Sequence, residues 1–203
     1  MKKLFIGGSL FMLMFSAIFA NETRNELLSG KSILVIIGAS DFADPELFKP
    51  KAIFEKEQAR VFITSTTLGD VTGMQGGKVK PDILLKNVKV KDYDAIIFVG
   101  GYGAAEFLND SLAHKIAKEC IKQNKILGAI CMAPAILANA GVLDEKKATC
   151  ASFTQFSNNN SKVIDTGKSV ERDGNIITGR DPNAATEFGN TILKALIEKT
   201  KNK

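Results

Sequence analysis

Four largely apolar runs along the chain predict the strands of a buried sheet. They cover residues 33–37, 61–64, 95–99 and 126–130. Continuous runs rich in apolar and β-branched side chains are typical of parallel strands that are covered on both faces. Segments with the apolar spacing of helices follow these runs, so strands and helices alternate. This alternation predicts an α/β fold, a three-layer α/β/α sandwich with a mostly parallel central sheet.

Helices are predicted where apolar side chains recur every three or four residues. These segments cover residues 44–58, 111–123, 132–140 and about 184–199. Asp44 followed by Pro45 predicts the start of the first helix, with the Asp44 side chain as the N-cap. Pro50 predicts a bend within that helix.

The less regular segments predict short β structure and loops. The glycine-rich residues 69–90 predict a hairpin or loop excursion, and residues 147–151 predict a short strand. Residues 157–161 are polar and predict a loop. An Asp-Gly pair within residues 170–178 predicts a hairpin turn.

The helix of residues 111–123 has one apolar face, which predicts that it packs against the sheet. That face carries Leu112, Ile116, Cys120 and Ile121. Cys120 is therefore interpreted as a core residue. His114, the only histidine of the chain, falls on the opposite, lysine-rich face, which indicates a solvated surface histidine. The last helix has a comparable stripe, formed by Ala185, Phe188, Ile192, Ala195 and Leu196.

The first twenty residues have the pattern of a signal peptide. Two lysines precede an apolar run at residues 4–15, and Ala20 is a small residue after which cleavage can occur. An uncleaved membrane anchor is the alternative, although so short a run is marginal for spanning about 30 Å of hydrocarbon. The protein is therefore expected to be exported, periplasmic or secreted, with no stable membrane span after cleavage. Residues 21–30 are polar and predict a flexible segment.

Length and charge limit the classes of function. Removing twenty of the 203 residues leaves 183, and we expect one domain over residues 31–199 with a frayed tail at 200–203. The formal net charge is +5, and two of the basic residues lie in the leader, so the remaining excess of three is too weak to predict a nucleic-acid partner. The three cysteines form no CxxC pair and there is one histidine, so no metal or other cofactor is expected.

Cys131 lies where the apolar run of residues 126–130 changes directly into a helical stretch. Such an elbow holds its central residue in a tight turn, so the positions two before and two after must be small; here they are Ala129 and Ala133. The first turn of a helix places unpaired backbone N–H groups beside the sulfur, which favours the thiolate. A nucleophilic cysteine is thus predicted. The alternative is a buried structural cysteine that packs as a small hydrophobe.

Two further segments come directly after predicted strands. Residues 41–46 follow the first strand, and residues 100–103 follow the strand at 95–99. In open α/β sheets, ligands bind beyond the carboxyl ends of the strands, so both segments and Cys131 are predicted to converge on one cleft. The paired glycines of the second segment also fit a simple tight turn. A dinucleotide site is disfavoured because the first strand is not followed by GxGxxG.

Several motifs of the chain resemble the DJ-1/PfpI superfamily. They are Asp41-Phe42-Ala43-Asp44-Pro45-Glu46, Val99-Gly100-Gly101-Tyr102-Gly103, Ala129-Ile130-Cys131-Met132-Ala133-Pro134, Gly141-Val142-Leu143 with Lys147-Ala148-Thr149, and Gly179-Arg180-Asp181-Pro182 with Glu187-Phe188. The resemblance covers essentially the whole chain after the leader. It implies the flavodoxin-like sandwich of class I glutamine amidotransferase-type proteins, and a homodimer.

By this resemblance, Cys131 is the nucleophilic, oxidisable cysteine and Glu46 is its partner carboxyl. A carboxylate beside a thiolate is a like-charge pair, so one of the two is expected to hold a proton. The alternative role of Glu46 is to interact with the start of its helix, where an acid is favourable. Gly101, the amides around Tyr102 and the N–H of Met132 are expected to form an anion hole for an oxyanion or an oxidised sulfur.

The chain departs from the family pattern at two positions. Peptidase-like members carry His directly after the nucleophile, where this chain has Met132, and deglycase-like members often place a His near the position of Cys150. A Cys–His pair of the hydrolase kind is therefore not expected. Cys150 and Arg180 are candidate site-lining residues, and Cys150 is also a candidate resolving thiol for Cys131.

These observations favour an enzyme that acts on small reactive carbonyl compounds or glycated adducts, in the manner of a glyoxalase or deglycase. In that hypothesis Cys131 adds to an aldehyde and Glu46 moves protons. The first alternative is a redox-responsive protein in which Cys131 is oxidised without turnover. A cysteine peptidase or amidase is disfavoured by the missing His. A chaperone-like binding protein is a further alternative, and the sequence gives no evidence for or against it.

Overall fold

A computed structural model describes residues 27–151 and 162–201. The predicted leader, most of the segment at 21–30, the loop at 157–161 and the end of the tail lie outside the described residues. The helices of the described part are α1 (Asp44–Lys56), α2 (Ser111–Lys122), α3 (Pro134–Asn139) and α4 (Ala185–Lys201). Its strands are β1 (Ser32–Ile36), β2 (Arg60–Ser65), β3 (Val71–Thr72), β4 (Lys78–Val79), β5 (Ile83–Leu84), β6 (Ala95–Phe98), β7 (Ile126–Ile130), β8 (Lys147–Ala148), β9 (Ile164–Asp165), β10 (Val170–Asp173) and β11 (Ile176–Gly179).

A seven-stranded sheet forms the centre of the described chain, in the order β10-β11-β7-β6-β1-β2-β5. Neighbouring strands are parallel except for the hairpin of β10 and β11. The four predicted apolar runs correspond to β1, β2, β6 and β7, of which β1, β6 and β7 are buried along their whole length. The predicted mostly parallel sheet is thus confirmed.

Helices cover both faces of this sheet. The helices α1 and α4 pack together on one face, where Leu47 and Phe188 belong to the same core as Ile33 of β1. The other face packs against α2 and α3, with Leu34 of β1 and Ile116 of α2 in its core. Alternate residues of one strand therefore enter different cores, and the three-layer sandwich is confirmed. Among the described residues, no helix combines the length and apolarity that a membrane span requires.

The start of α1 differs from the prediction. Asp44 lies inside the helix, and the N-cap is Ala43, which makes no side-chain cap hydrogen bond. The Asp44 carboxylate instead accepts hydrogen bonds from the backbone of residues 75 and 77. The prediction that Asp44 caps its own helix was wrong because backbone donors of a distant segment occupy its side chain. Pro50 lies within the helix, which ends at Lys56.

The buried face of α2 also differs from the prediction. Ile116 and Cys120 are buried as predicted, and the Cys120 thiol donates to the Ile126 carbonyl. Ile121, however, is 37% exposed, and two alanines take part in the buried stripe in its place. That stripe consists of Ala113, Ile116, Ala117 and Cys120. Small side chains on this face allow the helix to lie close to the sheet.

Short β elements complete the described part. Residues 69–90 contain the predicted hairpin, β3 with β4, and also β5, which joins the edge of the main sheet beside β2. The predicted strand at 147–151 is limited to β8, which pairs with β9 outside the main sheet. The hairpin of β10 and β11 is confirmed, with Gly174 at a φ of 61° in the turn. The predicted apolar stripe of α4 is buried throughout.

Candidate active site

The three predicted segments meet in one cavity of about 320 Å³. The chain leaves the carboxyl ends of the neighbouring strands β1, β6 and β7 at this edge of the sheet. The residues that line the cavity are Ala43, Asp44, Pro45, Glu46, Met74, Gln75, Gly101, Tyr102, Cys131, Met132 and Pro182. Its walls are therefore mostly apolar, and they bring Glu46, Gly101, Tyr102, Cys131 and Met132 together as predicted.

Cys131 occupies the tight turn that the flanking alanines predict. Its φ is 64°, a left-handed conformation that costs a residue other than glycine about 1–3 kcal/mol. Its N–H donates to the Gly179 carbonyl and its own carbonyl accepts from the Ala151 N–H, both at 2.9 Å. These two bonds, one to the neighbouring strand β11 and one to the segment after β8, hold the elbow in its strained conformation.

Backbone N–H groups surround the sulfur. The amides of Gly101 and Met132 donate hydrogen bonds to it. Gly101 has a φ of 92°, and a Cβ at this position would collide with the Asp41 carbonyl oxygen, so the close approach of this amide depends on glycine. Tyr102 contributes its side chain, which is 70% exposed, to the wall of the cavity.

Glu46 places its carboxyl beside the sulfur from the first turn of α1. The residue is fully buried, and its Oε2 accepts the Gly100 N–H at 2.9 Å. Its Oε1 has no hydrogen-bond partner among the described residues, and the carboxyl as a whole interacts with the Cys131 thiol. An otherwise unsatisfied buried carboxyl oxygen next to a thiol indicates a shared proton.

Burial shifts the protonation of both groups. It raises the pKa of Glu46 from 4.5 to about 7; the hydrogen bonds from Cys131 and Gly100 oppose this shift, and the charge of Asp181 adds to it. Burial, and then the negative charge of Glu46, raise the pKa of the Cys131 thiol from 9.0 to about 12 against the two amides. The expected lowering of the thiol pKa was wrong because burial withdraws the sulfur from water and the charge of Glu46 lies beside it. The helix α3, which was expected to lower this pKa, is short and starts only at Pro134.

The two groups therefore titrate as a pair whose first proton leaves near pH 7. Above that pH the pair holds one proton between sulfur and carboxylate. Glu46 can then accept the thiol proton when the sulfur attacks an electrophile, and can return it afterwards. A proton acceptor for the thiol is thus present without a histidine.

Cys150 and Arg180 lie outside the set of residues that line the cavity. Cys150 is buried, and its thiol faces the carbonyl of Ala151, the residue whose N–H binds the Cys131 carbonyl. The Arg180 guanidinium donates to the Gly167 carbonyl at 2.6 Å. The residue that follows Cys150 is thus hydrogen-bonded to the elbow, and the pairing of the Cys150 sulfur with Cys131 stays a prediction.

His114 is half-buried on α2, not fully solvated. Its Nε2 lies 2.9 Å from the Leu108 carbonyl, which accepts its hydrogen bond. It borders a shallow, lysine-rich depression that shares no residue with the cavity at Cys131. Within this subunit the cysteine and the histidine therefore do not form a catalytic pair.

Residues of the β3–β4 hairpin and of the loop after β11 also line the cavity, and the sequence did not predict them there. They are Met74, Gln75 and Pro182. Pro182 belongs to a motif that the resemblance includes, which was a usable signal. Met74 and Gln75 lie in a glycine-rich stretch far from Cys131 in sequence, and no local pattern indicates that this stretch reaches the site.

Comparisons with known proteins agree with the fold. The model of the DJ-1/PfpI family matches residues 31–195. Deglycase PfpI of Pyrococcus furiosus is 30% identical over 163 residues, which cover 80% of this chain and 98% of that protein. The glutathione-independent glyoxalase DJR-1.2 of Caenorhabditis elegans is 26% identical, with 82% of this chain and 89% of that protein covered. The crystal structure of a ThiJ/PfpI domain protein from Brachyspira murdochii superimposes with a TM-score of 0.80 at 30% identity, covering 83% of this chain and 99% of that one.

Proposed function

The chain belongs to the DJ-1/PfpI family, and on that premise we propose that it is an enzyme that converts small reactive carbonyl compounds, with Cys131 as the nucleophile. One observation carries the proposal: the Cys131 sulfur, the Glu46 carboxyl and two backbone N–H donors face one mostly apolar cavity. Two relatives at modest identity bear the names deglycase and glyoxalase. Both names denote chemistry at reactive carbonyl groups.

The first step is the addition of the thiol to a 2-oxoaldehyde. The Cys131 thiol gives its proton to the Glu46 carboxylate while the sulfur bonds to the aldehyde carbon, and the C=O π electrons move to the oxygen. The N–H groups of Gly101 and Met132 stabilise the charge on that oxygen. Glu46 then protonates the oxygen, and a hemithioacetal results.

Proton transfers by Glu46 complete the reaction. Glu46 removes the proton from the former aldehyde carbon and delivers it to the oxygen of the adjacent ketone, which gives an enediol. It then removes the hydroxyl proton from the carbon that is bonded to sulfur and delivers it to the former ketone carbon. The product is a thioester of Cys131. Water cleaves the C–S bond, a 2-hydroxy acid leaves, and the thiol is restored. One water is consumed, and no redox partner is needed.

Methylglyoxal consumption tests this function. We expect the wild type to consume methylglyoxal, Cys131→Ala to fall to the uncatalysed background, and Glu46→Gln to lose at least about 10²-fold because general acid–base catalysis contributes that much or more. Cys150→Ala is the matched control, since it removes another buried thiol and retains the cavity. Equal rates for wild type and Cys131→Ala would rule out the proposal.

A second candidate is a redox-responsive role for the same sulfur. The N–H donors of Gly101 and Met132 that serve an oxyanion also suit the oxygens of a sulfinate. One molecule of hydrogen peroxide oxidises the thiol to a sulfenic acid and is reduced to water. A second molecule oxidises the sulfenic acid to a sulfinic acid and is also reduced to water. Intact-mass spectra after peroxide distinguish the routes: two added oxygens on Cys131 indicate sulfinate, whereas loss of two hydrogens indicates a disulfide with Cys150.

We further propose that the protein is exported after cleavage following Ala20 and that it forms a homodimer. The charged start and apolar run of residues 1–20 support export, and membership of the family supports the dimer. Light scattering coupled to gel filtration measures the assembly, and a mass equal to one chain at micromolar concentration would contradict the dimer.

A further inference from the structure

The tip of the β3–β4 hairpin forms part of the cavity wall. Met74 and Gln75 line the same cavity as Cys131, although more than fifty residues separate them in sequence. Met74 is 45% exposed, so its side chain reaches both the cavity and solvent. The tip therefore lies at the rim of the cavity, where its position can limit access to the sulfur.

Asp44 holds this tip from the start of α1. The residue is 6% exposed, and its carboxylate accepts the Gln75 N–H at 2.8 Å and the Gly77 N–H at 2.6 Å. Hydrogen bonds to a charged acceptor in a buried place are among the stronger ones in proteins. Glu46 lies two residues after Asp44 in the same helical turn. One rigid helix therefore carries both the proton-transfer group and the carboxylate that holds the hairpin tip.

Glycine makes this contact possible on the hairpin side. A Cβ at Gly73 would collide with three atoms of the Asp44 carboxylate and with nothing nearer. Gly73 does not have the left-handed backbone that only glycine adopts easily, so this close approach is what requires a glycine there. The hairpin and the carboxylate are therefore fitted to each other.

Other bonds hold the base of the hairpin. The Met74 N–H donates to the Phe42 carbonyl at 2.9 Å, and the Asp41 N–H donates to the Thr72 carbonyl at 2.8 Å. These bonds do not involve the Asp44 side chain. The turn is closed by its own bonds, from the Gly73 N–H to the Gly77 carbonyl at 2.7 Å and from the Gly76 N–H to the Gly73 carbonyl at 3.0 Å. Loss of the Asp44 side chain is thus expected to let the closed tip move away from α1 and to leave β3 and β4 in place.

We propose that Asp44 is a positioning residue that selects ligands of Cys131 by size, because it fixes the tip of the β3–β4 hairpin at the cavity entrance. The identity of the substrates, small aldehydes in preference to bulky ones, rests on the proposed function. Access to the sulfur does not depend on turnover, and it can be measured directly.

Alkylation of Cys131 by reagents of two sizes tests the proposal. Rates with iodoacetamide and with N-phenylmaleimide are followed by mass spectrometry of the Cys131 peptide in the wild type and in Asp44→Asn. The asparagine oxygen can accept a hydrogen bond from one of the two backbone N–H groups. Its NH₂ group is itself a donor and cannot accept one from the other. We expect the ratio of bulky to small reagent rates to rise roughly tenfold, which is the effect of losing one such buried bond. Asp70→Asn makes the same chemical change at an exposed position beside β3 and should leave the ratio unchanged.

A double-mutant cycle approaches the same contact from the hairpin. Gly73→Ala alone should displace the tip and raise the ratio, because its Cβ collides with the carboxylate. In an Asp44→Ala background that space is empty, so Gly73→Ala should then have little further effect. Additive effects of the two changes would show that they act independently and would overturn the proposed fit.

The outcomes separate this proposal from the proposed function. An unchanged ratio in Asp44→Asn, with faster amide hydrogen exchange at residues 75–77, would reduce Asp44 to a structural role and overturn the proposal. A raised ratio supports it even if the wild type consumes no methylglyoxal, a result that would refute only the proposed function. The measured quantity is a ratio of two alkylation rates at the same sulfur. A low reactivity of Cys131 slows both reactions and still allows the ratio to be measured.

Discussion

Replacement of Glu46 by Gln should remove a pH dependence of stability that the wild type carries. The residue is fully buried, its Oε2 accepts the Gly100 N–H, and the carboxyl interacts with the Cys131 thiol. Burial raises its pKa in the folded state from the ordinary value of 4.5 to about 7. Between these values the folded state binds a proton that the unfolded state has released. Stability is therefore greatest below about pH 4.5 for this group and falls as the pH rises through about 7.

The size of this effect follows from the two pKa values. One unit corresponds to about 1.4 kcal/mol, so the difference between 4.5 and about 7 amounts to about 3 kcal/mol at full deprotonation. Most of this loss should occur between about pH 5 and about pH 8. Because the linkage counts protons of the pair, it does not depend on which of the two groups holds the proton that remains.

Urea unfolding at several pH values between about 5 and 8 measures the effect through the extrapolated free energy of unfolding. Glutamine retains an acceptor for Gly100 and a donor toward the sulfur, so Glu46→Gln should fold and should lose the dependence. Glu55→Gln is the control on the same helix. It breaks a surface ion pair with Lys51 and should shift the whole curve by about 0.3–0.5 kcal/mol without changing its slope.

Parallel curves for the wild type and Glu46→Gln would refute the reasoning. They would mean that the buried carboxyl does not gain a proton on folding in this range. In that case the sulfur would have to be activated without the shared proton, and the proposed role of Glu46 as the group that moves protons would fail with it.

Three further predictions concern activity and processing. In the wild type, kcat/KM should rise through about pH 7, as Glu46 loses its proton and becomes able to accept that of Cys131; a rate independent of pH across that range would contradict this. Gly100→Ala should cost stability by about 1–3 kcal/mol and abolish activity, because its Cβ would lie 2.7 Å from Glu46 Oε2 and 2.8 Å from Cys131 Cβ. Gly69→Ala is the control, because its Cβ would lie 3.4 Å from its nearest neighbour. Equal effects of the two changes would mean that a collision with Glu46 and Cys131 is not the cause. The protein recovered from its native compartment should begin at Asn21, and an N-terminal peptide that retains the leader would contradict cleavage.

The arrangement of the sheet and the elbow at Cys131 could be predicted because their signals are local. Each central strand is a continuous apolar run, and alanines flank the cysteine where any larger side chain would collide. The meeting of Glu46, Gly101 and Cys131 could also be predicted, since parallel strands bring their carboxyl ends to the same edge. The prediction for Asp44 failed for the opposite reason: a capping motif is local, and the donors that bind this side chain come from a separate hairpin.

The sequence by itself determined which segments form the central strands and the four helices, and it placed a thiol at a turn where only small neighbours fit. Only the tertiary structure decided how that thiol and its carboxyl titrate and which side chains border them. The physical reason is that desolvation and charge interactions depend on everything that surrounds a group, whereas periodicity depends only on its neighbours along the chain. The raised pKa of Cys131 and the hairpin held by Asp44 both arise from contacts between segments distant in sequence.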